Sequence, residues 1–220
     1  MRKSQFSTKY ISTIGMFCAI SFVAVLIGRL VPNVAGFLSY DPKDAMVVIA
    51  GFIFGPLSGV IITVIVAFIE MVSISATGFY GFLMNVISTC AFAVPAAWYY
   101  KRTRSHKGAV IGLGVGVAFM TVCMLLWNYI VTPFYMGVPR EQVADMLIPI
   151  FLPFNLIKGG INAGITLLIY KPIVNALRKA KLVAPSESEN KRRFNPGFTA
   201  FALAVVISFV LLFLVLVGIL

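Results

Sequence analysis

Three polar side chains interrupt the apolar stretch FLPFNLIKGGINAGITLLIYK, residues 151–171, at a spacing that could do chemistry. Asn155, Lys158 and Asn162 stand at i, i+3 and i+7, which places them on one face of a helix. An ammonium inside such a stretch is costly to desolvate, so it marks either a polar ligand site or a side chain that snorkels to a surface. In the second case the asparagines serve as hydrogen-bonding glue between helices. The clustering of three polar groups favours the ligand site, and Gly159 beside them leaves room for a ligand or a close neighbour. Asn128, in LLWNYIVTP, falls at a depth similar to Asn155 if the two helices are antiparallel neighbours. An amide offers donors and an acceptor together, which suits the edge of a heterocycle. Trp127, Tyr129, Phe134 and Tyr135 surround it, and for these rings an interfacial aromatic belt is the favoured reading.

Other chemistry is poorly supported. The one histidine, His106, lies in a basic loop, and there is no HExxH motif and no carboxylate pair within a helix. No metal site is expected. No GxxxxGK[ST] motif is present, so energy for any transport has to come from an ion gradient or a partner. Cys18, Cys90 and Cys123 lie in apolar runs without CxxC spacing and read as small buried hydrophobes. Glu70 ends an apolar run, facing either a cavity or outer water. Asp41 and Asp44 read as helix caps or loop anchors.

The elements that must position these groups are membrane helices. Of the 220 residues, 60% are hydrophobic and 11% charged, and several apolar runs reach transmembrane length. Lipid leaves no water for irregular backbone, and the runs lack the alternation of a β-barrel, so the fold class is an all-α integral membrane bundle. The net charge is +11. All but four of the 18 basic residues fall in three clusters: Arg2, Lys3 and Lys9; Lys101 to Lys107; and Lys171 to Arg193. This pattern is topology rather than nucleic-acid binding, and it places the N-terminus and all three clusters in the cytoplasm.

The expected helices run over residues 10–31, 44–55, 57–75, 79–100, 109–131 and 153–179, with a further span over 198–220. Proline is expected to stop the fifth before Pro133 and to open the sixth at Pro153, leaving 132–147 as a loop. The second, with about 11 residues, is too short to cross a bilayer alone. The chain then divides into a six-helix core (1–182), a polar cytoplasmic linker (183–197) and an additional transmembrane helix (198–220). No internal repeat is visible, which weakens an inverted-repeat carrier. In helix 1, Gly15-x-x-x-Ala19 and Ala24-x-x-x-Gly28 place small residues where a neighbouring helix can approach.

The stretch FLSYDPKDAMVVIAGFIFGPLSGVIIT resembles the loop and second helix of the substrate-capture (S) components of energy-coupling factor transporters. GFLMNVIST, WNYIVTPFYMG and LPFNLIKGGIN are similar to the riboflavin-specific branch of that family. The resemblance covers roughly residues 5–180. It implies a six-helix bundle holding riboflavin near its outer face, with the vitamin as transported ligand and no cofactor. Asn128, Asn155 and Lys158 would be its polar contacts, with Asn162 on the same helical face. The loop around Phe37, Leu38 and Tyr40 would cover it. Gly15 and Ala19 would dock on a transmembrane coupling protein joined to two ATPase subunits, and ATP-driven toppling in the cell membrane would carry the vitamin inward. The family pattern does not include the last helix, which either obstructs that tilting or packs peripherally. Within the resemblance the alternative is a capture component for another vitamin; from the residues alone the alternatives are a stand-alone ion-coupled carrier using Glu70 or Lys158 and a structural subunit. An intramembrane enzyme lacks a nucleophile–base arrangement.

Overall fold

The computed structural model describes residues 7–183 and 196–220. Arg2, Lys3, Lys191, Arg192, Arg193 and most of the expected polar linker lie outside these. In chain order the helices are α1 (Thr8–Gly28), α2 (Lys43–Phe54), α3 (Pro56–Ser73), α4 (Gly78–Thr103), α5 (His106–Met136), α6 (Arg140–Met146), a π-helical turn (Leu147–Phe151), α7 (Leu152–Lys179) and α8 (Pro196–Val217). Among the described residues six helical stretches are long and apolar enough to cross a membrane, α6 to α7 counting as one stretch. The protein is therefore a multi-pass, all-α membrane bundle. As expected, α2 is shorter: its 12 residues rise about 18 Å against a hydrocarbon core of about 30 Å.

Local chemistry explains the boundaries. Ser7 caps α1 by accepting from the Tyr10 N–H, and Ser105 caps α5 by accepting from the Gly108 N–H. Gly55, at φ 102°, turns the chain sharply between α2 and α3, and Pro56 opens α3, where a missing N–H costs nothing. Two expectations are corrected. Pro133 does not stop α5, which continues to Met136 and ends on Gly137 in the left-handed conformation. The segment expected as a loop over 132–147 is mostly helical, through the end of α5 and α6. In a bilayer a continued helix keeps its backbone paired, whereas an exposed loop would not, so one proline is tolerated. The π-turn absorbs the change of register between α6 and α7 just before Pro153.

Packing relies on close backbone approach. A Cβ on Gly112 would lie 2.9 Å from the Ala96 carbonyl, and Gly116 sits directly on the Phe92 carbonyl, so α5 lies flush against α4. Near the basic end, Phe52 stacks on Tyr100 at 4.2 Å, and the Tyr100 and Tyr170 hydroxyls are 3.0 Å apart. Tyr10 of α1 meets Ser58 of α3 at the same end. The opposite end carries residues 29–42, the α3–α4 connection and α6, and there the bundle opens into a cavity.

Candidate functional site

The cavity has a volume of about 500 Å³, within the range of small-molecule sites. Its wall is built by α1, α3, α4, α5 and α7, and its cover by the loop between α1 and α2. Phe37, Leu38, Tyr40, Asn128, Asn155 and Lys158 all line it, so the structure brings together six of the seven residues expected to bind ligand. Asn162 is the exception. It is fully buried one turn beyond Lys158, its Nδ2 donates to the Asp41 carbonyl at 3.0 Å, and its Oδ1 accepts from the Tyr40 hydroxyl at 3.3 Å. It anchors the covering loop instead of lining the cavity.

Lys158 does not snorkel. Only 7% exposed, it donates to Ser88 Oγ at 3.4 Å and pairs with Asp44 Oδ2 at 3.3 Å. Asp44 in turn accepts from Thr89 Oγ1 at 2.6 Å. A second set of charges lies alongside: the buried Lys43 ammonium bridges Asp41 and Glu70 (Glu70 at 2.8 Å), and Glu70 accepts from Asn85 Nδ2 at 2.9 Å. Glu70 therefore faces the cavity rather than outer water. Asp44 is a buried ion-pair partner, not a cap, while Asp41 does anchor the loop, accepting from the Lys43 N–H at 3.2 Å. Burial by itself would raise the Asp41 carboxyl, but the Lys43 ammonium, with Lys158 beyond it, holds it below the usual carboxylate range. Burial, and then Asp44 and Asp41, push the Tyr40 phenol up, so it stays a protonated donor toward Asn162.

Asn128 and Asn155 are each fixed by their own helices. Asn128 Nδ2 donates to the Met124 carbonyl at 2.8 Å, and its Oδ1 accepts from Thr132. Asn155 Nδ2 donates to the Phe151 carbonyl at 2.7 Å, at the end of the π-turn. These bonds lock both side chains at the cavity wall. Gly159 accommodates a close neighbour: a Cβ there would lie 2.9 Å from Val117 on α5.

The covering loop is shaped by Ala35 and Gly36, both at positive φ, between the bridged pair Val34 and Leu38. Phe37 rests edge-on against Phe151, 5.9 Å between centroids. Of the aromatics near Asn128, Trp127 and Tyr135 line the cavity, whereas Tyr129 and Phe134 are exposed on the bundle surface in the manner of a belt. Gly15 and Ala19 lie on the exposed face of α1, and a Cβ on Gly15 would meet nothing within 4 Å. Gly28, by contrast, packs inward, where a Cβ would strike the Tyr40 carbonyl at 2.7 Å.

Sequence reasoning missed Lys43, Ser88, Thr89 and the partnership of Asp44. A usable signal was present: Asp41-x-Lys43-Asp44 compresses three charges at the start of a helix whose remaining residues, 45–54, are all apolar and cannot solvate them.

A multi-pass helical bundle with an internal, loop-covered cavity of mixed apolar and charged lining has the form of a membrane protein built to hold a small solute. Residues 9–170 match the family described as ECF transporter, substrate-specific component, and the chain belongs to that family. It is 28% identical to the riboflavin transporter FmnP of Bacillus subtilis (strain 168), the match covering 79% of this chain and 98% of that protein. It is 30% identical to the riboflavin transporter RibU of Staphylococcus aureus (strain TCH60), over 78% of this chain and 93% of that one. A solved structure described as the S component of a bacterial ECF transporter superposes with a TM-score of 0.66 at 29% identity, covering 77% of this chain and 98% of that one.

Proposed function

We propose that this protein captures riboflavin in the loop-covered cavity and delivers it inward as part of an ATP-driven complex. The observation that carries the reading is the convergence of Lys158, Asn155 and Asn128 on one cavity with Trp127, Phe154 and Met124 beside them. Riboflavin combines an apolar ring edge, a polar pyrimidine edge and a ribityl chain of hydroxyls. Aromatic and aliphatic walls suit the first, amides the second, and an ammonium or amide the third. The riboflavin transporters among its relatives support the same ligand.

The cavity opens at the end of the bundle opposite Lys101, Arg102, Arg104 and Lys107. With the basic end in the cytoplasm, by the positive-inside rule, the cavity faces outward and the N-terminus inward. The exposed Gly15 and Ala19 on α1 offer a flat surface for a transmembrane coupling protein, itself joined to two ATPases. Within the chain, residues 1–182 form the binding core, and α8 follows as an added span.

The test is purification in detergent and titration with riboflavin, read by quenching of flavin fluorescence. Saturable binding, lost or weakened in Lys158→Ala, is expected. Binding unaffected by that change would place the vitamin elsewhere. A stand-alone ion-coupled carrier would instead transport riboflavin in liposomes without any ATPase partner.

A further inference from the structure

The helix beyond the matched family region has a specific placement. Residues 9–170 carry the family match, and α8 begins at Pro196. It runs antiparallel to α7: Val206 packs on Gly164 and Phe209 on Gly160, where a Cβ would lie 2.6 and 2.5 Å away respectively. These two glycines are what let α8 lie against α7. Its start reaches the basic end, with the Phe198 ring 4.6 Å from His106, and its end reaches the cavity end.

Most of α8 is exposed, as a lipid-facing helix should be. Only Ala202 and Phe213 are buried. Phe213 is buried by the binding machinery: it packs in one apolar cluster with Phe154 and Ile157 of α7 and Val34 of the covering loop, with Leu38 and Tyr40 at its edge. Its ring meets the Tyr40 ring edge-on at 6.1 Å. Tyr40 is thereby gripped from two sides, by Phe213 against its ring and by Asn162 at its hydroxyl. Leu216 and Val217 border the same cluster. A helix needed only as an extra anchor has no reason to place its largest buried ring on the cover of the cavity.

We propose that α8 is a built-in brace for the covering loop, and that Phe213 is a positioning residue that slows ligand release by holding Tyr40, Val34 and Leu38 over the cavity. This rests on reading the cavity as the riboflavin site, but its first consequence is independent of any ligand. Removing the ring loosens residues 31–41 in the empty protein, because a loop with an irregular backbone depends on such side-chain contacts for its order.

The experiment compares wild type with Phe213→Ala, Phe213→Leu and, as a control on the lipid-facing side of α8, Val210→Ala. Amide hydrogen exchange is measured on ligand-free protein in detergent, and riboflavin release by stopped-flow fluorescence. Phe213→Ala is expected to speed exchange in 31–41 while leaving α3 protected. Release should be about threefold to tenfold faster, the range an aromatic pair contributes, with the association rate little changed. Phe213→Leu, which keeps apolar volume and folding, should fall between, and Val210→Ala should match wild type. Unchanged loop exchange in both Phe213 variants would overturn the brace. Faster loop exchange in a protein that binds no riboflavin would uphold the brace and overturn only the ligand assignment.

Discussion

Replacing Lys158 by alanine separates two roles that one ammonium fills. It sits 3.3 Å from Asp44 and 3.4 Å from Ser88, at 7% exposure. Truncation leaves the Asp44 carboxylate buried with Thr89 as its remaining close donor. Removing one member of a buried pair costs about 3–5 kcal/mol of stability, because the stranded charge stays desolvated. The same ammonium lines the cavity, and losing a hydrogen bond from a charged donor to a ligand costs about 1.5–3 kcal/mol, roughly 10- to 150-fold in Kd. The two costs are separable with Asp44→Asn. In Lys158→Ala/Asp44→Asn no buried charge is stranded, so most of the lost thermal stability should return while affinity for riboflavin stays weak. The assays are a thermal melt followed by an environment-sensitive thiol dye or by light scattering, and a fluorescence-quenching titration on the same preparations. Affinity equal to wild type in the double variant would refute the assignment of Lys158 as a ligand contact. Failure of Asp44→Asn to restore stability would refute the ion-pair argument.

Gly15→Leu or Ala19→Leu should leave riboflavin binding intact and abolish co-purification with the coupling protein, since both positions face away from the bundle; assembly surviving both changes would move the docking surface elsewhere. Asn162→Ala, which removes two bonds to the covering loop without touching the cavity, should speed riboflavin release by roughly tenfold, the effect of about 1–1.5 kcal/mol, in the same stopped-flow assay. The depressed Asp41 carboxyl contributes stability above its unfolded pKa and loses it as pH falls through the lower, folded value. Melting temperature should therefore drop on acidification below about pH 4, and Asp41→Asn should flatten that dependence.

Much of this arrangement could be read from the chain. Lys158 and its asparagine neighbours stand out because polar groups are costly in an apolar helix and here three share one face, and Asn128 is paired with them by depth alone. Hydropathy delivered α1, α3, α4 and α8 to within a few residues. Three features were hidden for physical reasons. The continuation of α5 through Pro133 depends on the bilayer, which penalises unpaired backbone more than one missing N–H. The buried pairing of Asp44 with Lys158 joins residues far apart in sequence, and from sequence alone an aspartate before a helix is indistinguishable from a cap. Asn162 shares a helical face with Lys158, yet one further turn carries it past the cavity to the loop's own backbone, a distinction that spacing alone cannot make.

The charges around the cavity also cancel. Arg29, Lys43 and Lys158 stand against Asp41, Asp44 and Glu70, and each buried member has a partner of opposite sign. An uncharged vitamin can therefore settle there without having to neutralise its host. With such a vitamin bound, this site carries no surplus charge on which a transmembrane voltage could act.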